Sequence, residues 1–217
     1  MNTIALSPNT SLVSEMAGKF ITLEGIDGAG KSSHSAFIAD RIAARGFEVI
    51  STREPGGTAL GEKLRSIVLN EKMHGDTETL LMFASRTEQL AEVIAPALAR
   101  GAWVLCDRFT DSTFAYQCGG RGLPESRIAS IEAWVHGQLQ PDLTFLFDAP
   151  LEVARARLNS GSTVHDKFER EQSDFFSNVR AAYLKRAAQF PDRIKLIDSA
   201  RTLDDIRSEL GLMIDSL

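Results

Sequence analysis

A chain of 217 residues, 43% hydrophobic and 24% charged, has the composition of a single globular domain that can carry a small mobile insertion. A formal charge of −5 argues against a broad polynucleotide-binding face, which needs clustered Lys and Arg to release counterions, and leaves small phosphorylated ligands as candidates. No run reaches the roughly 20 apolar residues of a membrane span, and the two cysteines, Cys106 and Cys118, give neither a disulfide framework nor a spaced metal site, which fits a reducing, cytoplasmic setting.

Residues 1–16 (MNTIALSPNTSLVSEM) lack the positive start of a secretory signal, and their Ser, Thr, Asn and Pro predict a disordered, dispensable lead-in to a folded domain at 17–217. The apolar, β-branched Lys19–Glu24 predicts a first strand, ending on a Gly-rich turn that opens a helix from about Lys31 to Arg45. Gly46 stops that helix and Phe47–Thr52 predicts a second strand, so the unit implies a parallel sheet. After the turn at Glu54–Gly57, helical patterns occupy about Leu60–Leu69 and Thr77–Arg100, and Ala102–Cys106 predicts a third strand followed by Asp107. Then come a helix at Glu125–Leu139, a strand at Leu143–Phe147, helices near Leu151–Leu158 and Ser173–Phe190, a strand at Ile194–Ile197 and a last helix at Leu203–Leu217. This alternation predicts an α/β domain, a five-stranded parallel sheet flanked by helices, with its ligand crevice beyond the carboxyl ends of the strands.

The residues with chemistry collect at those ends. Gly25-Ile26-Asp27-Gly28-Ala29-Gly30-Lys31-Ser32 fits GxxxxGK[ST] between a predicted strand and helix, and Ser33 follows it. The glycines let backbone N–H groups curl around phosphate oxygens, and the helix N-terminus adds a favourable dipole. Lys31 would reach the β- and γ-phosphates of ATP, and Ser32 would bind Mg2+, joined by Asp107 at the end of an apolar strand. No NKxD or TKxD tetrapeptide reads guanine, and the chain is short for a motor, which leaves a small-molecule kinase. Asp27 is the anomaly, a carboxylate in an anion-binding loop, and repulsion from a triphosphate requires its side chain to point elsewhere.

Four stretches, GIDGAGKSS, TREPGGT (Thr52–Thr58), LLMFASR (Leu80–Arg86) and DRFTDSTFAYQCGGRG (Asp107–Gly122), resemble in order and spacing those of the thymidylate kinase family, from about Gly18 to the C-terminus. The resemblance implies a P-loop nucleoside monophosphate kinase fold that phosphorylates dTMP to dTDP with ATP and Mg2+ for dTTP synthesis, as a homodimer. It implies that Arg53 and Arg108 hold the acceptor phosphate, a task suited to the planar guanidinium fork. Phe83 matches the aromatic that stacks on thymine, although periodicity alone places it on a core face. Arg86 matches the residue bonding the edge of the base. Ser112 and Gln117 match polar positions around base and sugar phosphate, and Tyr116 the tyrosine under the deoxyribose. Asp27 matches an acidic position against the 3′-hydroxyl, its alternative role being to hold the turn. Gln89 stands where the family often has His, and Cys118 where Gly is common.

Members of that family take the transferring arginine either from the phosphate loop or from a mobile lid. Position 28 is Gly, so the expected lid is about 155–171, with Arg157 and Arg170 as the transferring cations and Lys167 third. Its Asn159-Ser160-Gly161 tip departs from the arginine-rich pattern. Two rival readings remain: another nucleotide or deoxynucleoside kinase on this scaffold, and a nucleotide-binding module that has lost transfer.

Overall fold

The computed structural model describes residues 18–159 and 173–217. Five parallel strands, β1 (Phe20–Glu24), β2 (Val49–Arg53), β3 (Trp103–Asp107), β4 (Leu143–Asp148) and β5 (Ile194–Asp198), form one sheet in the order β2-β3-β1-β4-β5. Central β1, FITLE, is buried at every position, as expected of a strand covered on both faces, whereas edge strand β2 is only partly buried. Thr22 and Thr144, side by side on β1 and β4, satisfy one another through a 2.7 Å hydroxyl contact in the core.

Around the sheet lie α1 (Lys31–Ala44), α2 (Ala59–Asn70), α3 (Gly75–Gln89), α4 (Ala95–Ala99), α5 (Thr110–Thr113), α6 (Glu125–Val135), α7 (Leu151–Asn159), α8 (Ser173–Gln189) and α9 (Leu203–Asp215). The five-strand α/β architecture expected from sequence is the one found. Two local differences have physical causes. The helix expected over Thr77–Arg100 is α3 and α4 joined by a π-helical turn, Leu90–Ile94, where Ala95 N–H bonds Leu90 O. That wider turn accommodates Pro96, whose ring would otherwise meet the carbonyl four residues earlier. The segment after β3, given no structure from sequence, is helical: α5 runs into a second π-helical turn, Phe114–Gly120. The Gly-rich end of that turn packs on α8, where a Cβ at Gly120 would stand 2.4 Å from Phe175. The expected lead-in at 1–16 lies outside the described residues, as does most of the expected lid.

Candidate active site

The phosphate loop leaves the carboxyl end of β1, the central strand, where the strand order reverses and an open α/β sheet offers its crevice. Gly30 caps α1 at φ 99° and Gly28 turns at φ 79°, conformations costly for any residue with a Cβ. Gly28 has a second reason to be glycine, because a Cβ there would stand 2.2 Å from the carbonyl oxygen of Ala154 on α7. Helix α7 thus packs directly on the loop and leaves no room for a loop arginine. The same helix supplies Arg157. One guanidinium nitrogen lies 3.5 Å from where a Gly30 Cβ would be, and the other donates to Ser199 O at 2.8 Å, just beyond β5. Arg170 and Lys167 lie outside the described residues.

Lys31 is buried and folds back on the loop, its Nζ donating to the carbonyls of Gly25 (3.0 Å) and Ile26 (3.2 Å). Burial first, and the like charge of Arg108 second, bring its pKa down to about 8, against the opposing pull of Asp27, Asp107 and Glu24. A phosphate group held in this loop would add to the counter-charge of this ammonium. Ser32 and Ser33 are exposed on the first turn of α1. Asp107 ends β3, and its Oδ1 is buried with no protein hydrogen-bond partner, a donor atom suited to a hard cation.

Beside the loop a cleft of about 550 Å³, its open mouth included, is lined by Asp27, Met82, Arg86, Arg108, Ser112 and Tyr116 among others. Asp27 therefore faces this cleft although it belongs to the phosphate loop. Its Oδ1 accepts from Arg108 Nη2 at 2.6 Å and its Oδ2 from the Tyr116 hydroxyl at 3.3 Å. Burial alone would raise this carboxyl, but the charges of Arg108 and Lys31 outweigh it and hold Asp27 below the usual carboxylate range.

Arg108 is the hub. Its backbone is left-handed at φ 72°, a strain of about 1–3 kcal/mol for a residue with a side chain, and such strain collects at functional sites. Its guanidinium lies 4.9 Å from the Tyr116 ring centre; Nη2 also donates to the Tyr116 hydroxyl, and Nη1 donates to Ser112 Oγ (3.2 Å) and the Tyr183 hydroxyl (3.1 Å). Behind them sits Glu24, fully buried, accepting from Phe109 N–H (2.7 Å), Ser112 Oγ (2.6 Å) and the Tyr183 hydroxyl (2.8 Å). Burial and then the charge of Asp111 push Glu24 up to about 7. Sequence reasoning missed Glu24 and Tyr183. Glu24 is a carboxylate at the last position of an otherwise apolar strand, which is a readable signal; Tyr183, on α8, looks like any core aromatic.

Arg86 is buried, ion-paired to Glu54 Oε2 through Nε at 2.8 Å and bonded to Thr113 Oγ1 at 2.9 Å, while its Nη1 has no partner. That leaves one buried donor for a ligand. Phe83 is not on the cleft wall: it is 2% exposed, packed with Phe114 and Ile128, and the Arg86 guanidinium lies 4.7 Å from its ring centre. The residue on the wall is Met82, four before Arg86 and so on the same helical stripe. Of its two sequence readings, Phe83 takes the core one. Gln117 donates to Glu78 at 3.0 Å and is fully buried, its Oε1 unpartnered. Arg53 points away from the buried network, paired at the surface with Glu62 at 2.9 Å. Gln89 bonds Thr52 Oγ1 (2.7 Å) and Arg53 O (2.8 Å), which ties α3 to the end of β2.

Known proteins resemble this chain along most of its length. The family model described as thymidylate kinase matches residues 23–210. Thymidylate kinases of Methylobacillus flagellatus and Cupriavidus taiwanensis are each 61% identical, over 90% and 93% of this chain and 96% and 100% of their own lengths. The crystal structure of thymidylate kinase from Ehrlichia chaffeensis superimposes with a TM-score of 0.72 at 29% identity, covering 92% of this chain and 98% of that one. With a phosphate loop and an arginine-centred acceptor cleft at the same sheet edge, and these matches along nearly its whole length, the chain belongs to the thymidylate kinase family.

Proposed function

We propose that the protein transfers the terminal phosphoryl group of ATP to the 5′-phosphate of dTMP, producing dTDP on the way to dTTP. The observation that carries this reading is Asp27: a residue of the ATP loop that lines the acceptor cleft and is bonded to the arginine at its floor, so donor and acceptor meet at one point. A nucleoside monophosphate has a second pKa near 6, so its attacking oxygen is already anionic at pH 7 and no general base is required. The protein must align two phosphates and neutralise the charge building between them. Lys31 meets the β- and γ-phosphates, Arg108 the acceptor phosphate, and Arg157, with Arg170 from the lid, the group in flight. Arg53 joins the acceptor phosphate by exchanging its surface partner Glu62, an exposed pair that costs little to break.

The base lies against Met82, with the free Nη1 of Arg86 bonding its edge, while Ser112, Tyr116 and Gln117 flank base and sugar. Tyr116 crowds out a 2′-hydroxyl, and Asp27 accepts from the 3′-hydroxyl. Mg2+ fits Asp107 and Ser32, since an ion shared with phosphates needs only one or two protein ligands; when bound it would neutralise phosphate charge. We place the protein in the cytoplasm, in keeping with free thiols at Cys106 and Cys118. It acts as a homodimer through α3 and α6, where Leu80 and Trp134 are 56% and 84% exposed beside an apolar groove.

The test is a coupled ADP-release assay with dTMP, dUMP, CMP and thymidine side by side. The expected outcome is a kcat/KM for dTMP at least about tenfold above the others. Faster turnover of CMP or thymidine, or ATP binding without ADP release, would sink the proposal.

A further inference from the structure

We infer that Glu24 and Tyr183 are positioning residues for acceptor binding, a buried brace that fixes both the backbone and the guanidinium of Arg108. The inference rests on Arg108 holding the acceptor phosphate. The geometry is a closed path. Glu24 Oε1 takes the amide of Phe109, the residue that follows the left-handed turn at Arg108, while the amide of Arg108 itself bonds Leu23 O at 2.9 Å. These two bonds secure the turn from both sides. Glu24 Oε2 receives the hydroxyls of Ser112 and Tyr183, and those same two oxygens accept from Arg108 Nη1. A carboxylate that draws both hydroxyl hydrogens to itself turns both sets of lone pairs toward the guanidinium, so Glu24 sets the polarity of the whole path.

Tyr183 is the member of the brace that no local sequence pattern supplies. It reaches the site from α8, 75 positions along the chain from Arg108, and its own ring is buried. The ring lies edge-on to Tyr116 at 6.4 Å, and Phe175 of the same helix lies edge-on to Tyr116 at 6.1 Å. Helix α8 therefore backs both the arginine and the tyrosine of the cleft floor. A hydroxyl used only for packing would have no need of a carboxylate and a guanidinium at once.

The decisive experiment is a double-mutant cycle on dTMP affinity, by calorimetry, with ATP affinity and melting temperature measured alongside. Arg108→Ala alone must weaken dTMP; if it does not, the reading of Arg108 as phosphate ligand fails and the brace loses its object. Tyr183→Phe, which removes one hydroxyl, should weaken dTMP about tenfold or more while ATP affinity moves less than about twofold, as expected for a lost bond to a charged group. In the Arg108→Ala background the same change should move dTMP affinity less than about twofold. Unchanged dTMP affinity in Tyr183→Phe, or equal factors in both backgrounds, would overturn the inference. Should Tyr183→Phe not fold, Glu24→Gln takes its place in the same cycle under the same two outcomes.

Discussion

The proposed acceptor and donor halves of the site are built differently. On the acceptor side, Asp27, Arg108, Ser112, Tyr116, Tyr183 and Glu24 form a continuous, largely buried network whose polar groups hold one another in place without a ligand. On the donor side the protein offers mostly backbone and exposed groups: a glycine loop, Ser32 and Ser33 at the surface, and Arg157 on an exposed stretch of α7. Lys31, the one buried cation of that half among the described residues, is bonded to the loop's own carbonyls. On the proposed assignment, the difference teaches that acceptor choice is preorganised, whereas the phosphate-transferring charges would assemble around ATP. Preorganised donors and acceptors discriminate strongly because a wrong substrate leaves buried polar groups unpaired.

The largest expected effect separates the halves directly. On the proposal that its guanidinium serves the donor side, Arg157→Ala should lower turnover at least about 100-fold with little change in dTMP affinity; steady-state kinetics with a parallel dTMP titration measures both. Wild-type turnover would remove Arg157 from the transfer step.

Next comes a contrast within one helix. Phe83→Ala should cost about 3–5 kcal/mol of stability, as expected for emptying a fully buried aromatic site, and Met82→Ala should raise the KM for dTMP by several-fold with a smaller loss of stability. Urea melts and dTMP saturation curves on both variants decide it, and the reverse pattern would return the base-facing role to Phe83.

The smallest effect concerns pH. Glu24 binds its proton more tightly in the folded protein, so its contribution to stability is complete below its ordinary value near 4.5 and is lost as the pH rises through about 7. Glu24→Gln lacks this titration, so the stability of the variant relative to the native protein should increase between pH 4.5 and 7.5, by on the order of 3 kcal/mol at most. Urea unfolding of both proteins at the two pH values measures the difference, and a pH-independent gap would contradict it.

Much of the fold was legible because its signals are local and periodic. Short apolar strands ending in turn residues placed all five strands to within about two residues, and GxxxxGK[ST] placed the phosphate loop. The π-helical turns were not legible, since Leu90–Ile94 and Phe114–Gly120 keep helical patterning and differ from it only in hydrogen-bond register. In the site, the candidates that a motif carries were readable, but the residues that hold them in place were not. Nothing near Tyr183 in sequence announces a partner 75 positions away at Arg108. Phe83 illustrates a different limit: on a helix, one position changes the facing direction by about 100°, and only the packing of Arg86 over its ring shows that Met82 takes the cleft wall.

The division of labour is tested most directly at the residue both halves share. Titrating Asp27→Ala with dTMP and with a non-hydrolysable ATP analogue should show dTMP affinity reduced about tenfold or more, with ATP affinity unchanged or slightly improved as a negative charge leaves the loop. Weakened ATP binding with dTMP affinity intact would contradict the account.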